Sequence, residues 1–591
     1  MARFIDYLKE MSGQTPAEEE NTSFRLSSLR RILPYASEHW RKGLLGSIFM
    51  VFYSLLALPS PFMLKIIVDK ILVEKNQNLL GLILISLIGV QVARTILAIL
   101  TDFHFSVYGQ EVLTHLKKEL FYRILRLPLS FFDKNQTGYI LSRIGEVDGL
   151  AFFFSSALIR ILIGFFEFIF CLGMLIILNW RLSLLSLAIL PFFFFAARRY
   201  SKNIKNIAFQ SFEKGAGISW KIQDSLSAID VIKSFVAEDR ETDKLKRYFD
   251  ENKFLNIRRN LLITCSTEWI SLIGALAGLV ILWVSGQEII HGSFTLGGYL
   301  AFSAYLARLY GPTQTFANLG VMLLPSSVAL NRINWLMSLD SEEDTCDNKI
   351  DIKGIKRCIE FQNICFSYDK SQVLSDISFK ITIGERVEFR GPNGAGKSTV
   401  IKLLMGLYTT ELGTILIDDC DINGISLSSL RSRISIVSQN TFLFNDTIKN
   451  NILYSQPEAT SEGLEEAVRL AGAHEFIANL ERGLDSEIGE RGIRLSGGER
   501  QKISIARALI KDADVIIFDE ATAHLDPESE KGIWALIKSR FQNKICIIIT
   551  QKATYFSEMN KVIFFNKGRI IKIEEQIGSS ARPRQLEKVS T

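Results

Sequence analysis

Six long apolar stretches limit what this chain can fold into more than any other feature. They lie near residues 43–68, 79–100, 158–178, 182–197, 261–285 and 294–319. A helix needs roughly 20 apolar residues to cross the hydrocarbon core of a bilayer, and each stretch reaches or approaches that length. The fourth is short and contains Pro191, which a membrane helix tolerates. Buried helices of a large soluble protein rarely run so long with so few charges. The composition agrees: 48% of the residues are hydrophobic, and the mean hydropathy is positive at +0.19 although 22% are charged. These apolar residues crowd into the first half, which implies a membrane half and a water-soluble half. A net charge of +5 makes no case for a nucleic-acid partner.

Orientation follows from the basic residues. Arg41 and Lys42 precede the first stretch; Lys117, Lys118, Arg123 and Arg126 follow the second; Arg198, Arg199, Lys202 and Lys205 follow the fourth. All fall on one side, which is therefore expected to be cytoplasmic. The connections on that side, about 101–157 and 198–260, are long, helix-like and polar-faced, so helices should continue beyond the membrane. Residues 26–40 read as an amphipathic segment at the inner surface, after a lead of about 30 residues with no apolar signal-peptide core. The 7 cysteines show neither metal-ligand spacing nor a disulfide framework.

After a charged linker, 341–357, the pattern changes. Short apolar strands near 359–364, 386–390, 434–437, 515–518 and 546–549 alternate with helical runs, which predicts an α/β domain with a largely parallel sheet. Within it, Gly391-Pro392-Asn393-Gly394-Ala395-Gly396-Lys397-Ser398 follows a strand and precedes a helix that starts at Thr399. This is the P-loop pattern in its confirming context. Its glycines let backbone N–H groups approach phosphates, Lys397 is expected on the β- and γ-phosphates, and Ser398 on Mg²⁺. A second strand ends in Asp519 and Glu520. Two acids after a strand can simply cap a helix. Beside a P-loop, Asp519 is expected to hold Mg²⁺ and Glu520 to orient or deprotonate the attacking water.

A further string, Leu495-Ser496-Gly497-Gly498-Glu499-Arg500-Gln501, opens a helix-like run. A hydroxyl and two glycines at a helix start suit an anion. One nucleotide needs only one cradle, so two phosphate-grade sites in one chain suggest that each completes the site of a partner. The string resembles the signature of ATP-binding cassette (ABC) proteins, where it closes over the γ-phosphate held by the opposite subunit. The first half also resembles ABC exporters, through Leu127-Pro128-Leu129-Ser130-Phe131-Phe132-Asp133 with Thr137-Gly138, and through Ile229-Asp230-Val231-Ile232-Lys233-Ser234-Phe235.

The resemblance implies an α-helical domain with six transmembrane helices (31–340), followed by an α/β P-loop ABC ATPase domain (358–575) and a polar tail (576–591). It implies turns near 133–139 and 209–217 that act as coupling helices. It places Tyr368 against adenine, Gln439 at Mg²⁺ as the element that senses the membrane half, Gly489-Glu490-Arg491-Gly492 facing the coupling helices, and Asp526 at the dimer seam. The cofactors implied are ATP and Mg²⁺. The partner implied is a second half-transporter chain, with a homodimer favoured over a heterodimer.

One residue departs from the family pattern. Gln551 stands after Ile547-Ile548-Ile549-Thr550, where a histidine usually contacts the γ-phosphate. An amide donates a hydrogen bond but carries no charge, so transition-state stabilisation should weaken. A slow but competent site is favoured; a nearly non-hydrolytic site paired with a good one in a heterodimer is the alternative, as is an ATP-binding regulator. The resemblance implies an integral, multi-pass protein of a bacterial inner membrane that exports or flips an amphipathic substrate, such as a lipid, a peptide or a hydrophobic drug. Charges within the spans (Arg94, Arg160, Glu167, Glu268, Arg308) are candidates for its path, with Glu167 and Arg308 placed deepest. The short lead gives no expectation of a fused peptidase domain.

Overall fold

The structure is a computed structural model that describes residues 30–135, 137–342, 349–369, 371–521, 526–550 and 559–575. It divides into two compact units: one holds the chain up to Leu127 and Phe132–Leu339, the other Pro128–Phe131 and the chain from Asp340.

The first unit is helical. A short helix α1 (Leu33–Glu38) meets α2 (Trp40–Ala57) at His39, and the first apolar stretch continues through α3 (Ser60–Ile66), a π-helical turn Ile67–Ile71 and Leu72–Glu74. Then come α4 (Gln77–Leu125), α5 (Ser156–Leu178), α6 (Trp180–Ser227), α7 (Glu238–Ile290) and α8 (Leu296–Met322). Among the described residues, five segments have the length and hydropathy of a membrane span, and the 27-residue α8 is consistent with a sixth. At 49, 48 and 53 residues, α4, α6 and α7 are far longer than a bilayer requires. At 1.5 Å per residue they run for roughly 70–80 Å, so they extend past the membrane as the polar-faced connections predict. Pro191 sits inside α6 without ending it. Side chains such as Leu82, Ile85, Ile88 and Val92 on α4 point outward, the apolar exterior that lipid would cover. Inside, Cys171, Leu175, Phe193, Ile270, Ile281, Phe302 and Tyr305 form one core where α5, α6, α7 and α8 meet.

One expectation fails here. The turn expected near 209–217 does not exist: α6 runs unbroken through those residues. The chain reverses at Ala228–Ala237, around a short helix Ile229–Ser234. Packing against α7 carries α6 through Gly215 and Gly217. Ser211 Oγ lies 3.1 and 2.9 Å from the Asn252 and Asn256 side-chain oxygens, and Lys214 pairs with Glu251 at 2.5 Å. Each glycine costs a helix only about 1 kcal/mol relative to alanine. At the other connection, a short helix Leu129–Lys134 is followed by Thr137–Gly145 and a 3₁₀ stretch Glu146–Phe154.

The second unit is α/β. Its parallel sheet orders β10-β9-β3-β8-β7-β6, with β3 (Arg386–Arg390), β6 (Ile434–Val437), β7 (Val515–Asp519), β8 (Ile545–Ile549) and β9 (Lys561–Asn566) parallel and β10 (Arg569–Glu575) an antiparallel edge. Every residue of β8 is buried, as expected for a strand covered on both faces. A second sheet, order β2-β1-β4-β5, is antiparallel: β1 (Cys358–Tyr368), β2 (Ser371–Thr382), β4 (Leu412–Ile417) and β5 (Cys420–Asp421). The stretch at 359–364 therefore belongs to this antiparallel layer rather than to the parallel sheet.

Candidate functional site

In an open parallel sheet, ligands bind beyond the carboxyl ends of the strands. β3, β8 and β7 are consecutive neighbours, so the loop after β3 and the acids at the end of β7 come to one edge. The P-loop residues Gly391 to Ser398 lead into α9 (Lys397–Leu404). Gly391 and Gly396 have φ of 154° and 99°, and a Cβ there would come within 2.2 Å of Phe565 O and 2.5 Å of Leu374 Cδ2. Only glycine fits at either place. Lys397 is only 6% exposed, and its ammonium donates to the carbonyls of Gly391 and Pro392 at 2.8 and 3.0 Å. It is held against its own loop, ready to exchange those carbonyls for an anion.

A cavity of about 320 Å³ opens here, lined by Val373, Asn393, Gly394, Ala395, Gly396, Lys397, Ser398, Thr399, Gln439 and Glu520. Gln439 Nε2 donates to Glu520 Oε2 at 2.7 Å. Asp519 accepts a hydrogen bond from the Ser398 side chain. Burial raises the Asp519 carboxyl above its ordinary value; the Ser398 bond and Lys397 lower it, and Glu520 raises it further. A carboxylate held against its preference beside a hydroxyl and a second acid is a donor set suited to a hard cation. Glu520 has φ +50°, the left-handed region that non-glycine residues rarely occupy. Such strain collects at functional sites, and here it turns the side chain after β7 into the cavity.

The other expected residues fall elsewhere. Tyr368 stands outside this lining set, packed edge-on to Phe366 and Tyr408 with Lys402 Nζ 5.5 Å from its ring centre. Ser496 is exposed and caps α10 (Gly497–Leu509) in a reciprocal box with Glu499; Gly497 and Gly498 form the first turn. Asp526 is exposed and accepts from the Glu528 N–H at the start of α11 (Pro527–Arg540). Gln551 lies outside the described residues. At the Gly489–Gly492 loop, Arg491 has φ +51°.

Two residues of consequence escaped the sequence reading. Val373 on β2 lines the cavity, and an apolar strand residue gives no signal of that. Arg507 on α10 donates to Asn451 O, Asn451 Oδ1 and Phe442 O at 2.8, 2.9 and 2.9 Å. It ties the signature helix to the segment that follows Gln439.

In the helical unit, Glu167 on α5 and Arg308 on α8 come together at 3.8 Å, and Arg308 Nη2 donates to Ser60 Oγ at 3.3 Å. Arg160 instead faces Asp102 at 3.7 Å, and Arg94 lies over the Tyr53 ring.

A helical membrane domain fused to a P-loop domain with paired acids defines a membrane-embedded transport ATPase. The comparisons agree over most of the chain. Residues 44–313 match the family described as ABC transporter transmembrane region, and residues 374–523 match that described as ABC transporter. The chain is 30% identical over 511 residues to the ATP-dependent lipid A-core flippase of Desulfotalea psychrophila, spanning 86% of this chain and 89% of that protein. It is 29% identical over 555 residues to a Bacillus subtilis protein described as a multidrug export ATP-binding/permease protein, spanning 92% and 94%. The solved structure of a bacterial Atm1-family ABC exporter with ATP bound matches with a TM-score of 0.81 at 26% identity, over 93% of this chain and 96% of that one. The chain therefore belongs to the ABC transporter family, as an integral membrane transport ATPase of exporter type with its membrane and nucleotide-binding parts in one polypeptide.

Proposed function

We propose that this chain is one half of a dimeric exporter that flips or exports an amphipathic, lipid-like substrate across a bacterial inner membrane at the expense of ATP. The observation that carries the dimer is the division of the ATP site. The cavity is lined by the P-loop, Gln439 and Glu520, whereas Ser496, Gly497 and Gly498 lie outside that lining, with Ser496 exposed at a capped helix start. The signature then completes the cavity of a second chain.

The residues fit the phosphates and the cation. Lys397 would exchange its loop carbonyls for β- and γ-phosphate oxygens, the P-loop N–H groups would hold the remaining oxygens, and Tyr368 would stack on adenine. Ser398, Gln439 and Asp519 would hold Mg²⁺, which neutralises developing charge on the transferred phosphoryl group. Glu520, steadied by Gln439, would orient or deprotonate the attacking water. Asp526 would lie at the seam between the two ATPase domains. Residues 31–340 would form the path and 358–575 the motor, joined through 341–357. The lipid-like substrate is favoured by relatives described as lipid A-core flippases, and by the Glu167–Arg308 pair, an ionic contact between two predominantly apolar helices, α5 and α8.

Mixed dimers test the shared site. Lys397→Ala removes one chain's cradle and Gly497→Asp one chain's signature, so each alone should be inactive. Co-assembled, they contain one intact composite site, and ATPase activity should return to a substantial fraction of the wild-type rate. Mixed dimers as inactive as the separate variants would contradict the shared site.

A further inference from the structure

Away from the ATP site, two of the chain's six histidines meet at the junction of α1, α2 and α4. His39 is the single residue between α1 and α2. Glu111 and His115 lie four residues apart on α4, hence on one face, and Glu38 ends α1. One ligand atom from each of Glu38, His39 and His115 lies within 4.8 Å of the others. His115 Nδ1 is 3.0 Å from Glu38 Oε2, and His39 Nδ1 is 3.5 Å from Glu111 Oε2. Lys42 occupies the other oxygen of Glu111. Glu111 Oε2 is buried and has no hydrogen-bond partner.

We propose that Glu38, His39 and His115 form a binding site for a divalent transition-metal cation of the zinc type, which clips α1 and the start of α2 to α4, with Glu111 behind His39 as the carboxylate that orients its ring. Two simple ion pairs explain the cluster less well. A histidine paired with a carboxylate should donate a short, directed hydrogen bond, yet Glu111 Oε2 faces His39 across 3.5 Å and carries none. Leaving such an oxygen buried and bare costs about 1–3 kcal/mol. A cation on the other nitrogen of His39 would make its Nδ1–H a stronger donor to that oxygen, the role of carboxylates behind metal-bound histidines. Two imidazoles with one carboxylate suit zinc, and imidazole also takes nickel or cobalt. The ligand atoms must draw in somewhat to reach metal bonds of roughly 2.0–2.2 Å. Glu38 can move, because its side chain is 59% exposed, and the ring of Tyr35 packs edge-on against His115 at 5.2 Å as one wall.

The test uses the full chain in nanodiscs, with any affinity tag removed, dialysed against buffered Zn²⁺ and assayed for bound metal. One Zn²⁺ per chain is expected. His115→Ala should weaken binding by at least about tenfold to a hundredfold, the loss seen when groups supporting a metal site are removed. Glu38→Gln should weaken it as well, and that exposed change leaves folding intact. Zn²⁺ should also raise the unfolding temperature of the wild type and not that of His115→Ala. Sub-stoichiometric zinc in the wild type, or zinc held equally by the wild type and both variants, would overturn the site.

Discussion

Glu520 shows how much of the chemistry rests on single side chains. Its left-handed backbone and its bond from Gln439 aim one carboxylate into the cavity, while Asp519 turns toward Ser398. The two acids thus separate into two environments, one facing the cavity and one held by the Ser398 hydroxyl. For Asp519 the direction of the shift gives a pH dependence. Burial raises its carboxyl above the ordinary 3.8, so the folded protein keeps a proton that the unfolded chain releases. Without Mg²⁺ and nucleotide, this group's contribution falls as pH rises from that value through the raised one. A cation beside it favours the charged form, so the stabilisation by Mg²⁺-ATP should grow over the same rise in pH. Thermal unfolding with and without Mg²⁺-ATP checks this, and Asp519→Asn should flatten the difference. At Gln551, restoring a histidine (Gln551→His) returns a donor that can carry charge, and steady-state turnover should rise. These residues were legible in the sequence because a P-loop, paired acids after a strand and a capped glycine pair are local chemistry. Val373 and Arg507 were not legible, because strand pairing and helix docking bring them to the site from far along the chain.

Among elements, the spans could be read because bilayer thickness sets their length and lipid sets their composition. Where α6 ends could not be read the same way. Lys214, Gly215 and Gly217 look like a break, but the contacts of Ser211 and Lys214 with α7 outweigh the glycine cost. The antiparallel placement of β1 was also hidden, since a short apolar run does not disclose its partners. Between α5 and α8, Glu167 and Arg308 were foreseen only as two separate candidates for the substrate path; the structure pairs them. Each is about a quarter exposed (24%), and an unpaired charge in a membrane domain costs about 2.5–3.5 kcal/mol on insertion scales. Glu167→Gln or Arg308→Gln should therefore lower the unfolding temperature, and the double variant should recover much of that loss. All three should blunt substrate stimulation of the ATPase if the pair lines the path. Additive losses in the double variant, with normal stimulation, would remove the pair from the path.

For the whole molecule, the two units are each legible by class: a helical domain with lipid-facing side chains, and an α/β domain with its ligand edge at β3 and β7. What would join them in function is the proposed partner chain, whose ATP cavity the signature would complete. The central claim is that two copies of this chain form working ATPase sites that depend on Glu520. The direct measurement is steady-state ATP hydrolysis by this chain alone in lipid nanodiscs, beside Glu520→Gln. The expected result is measurable hydrolysis that falls by at least about a hundredfold in the variant, while nucleotide binding is retained. ATP binding without turnover by the wild type, or turnover that survives Glu520→Gln, would contradict it.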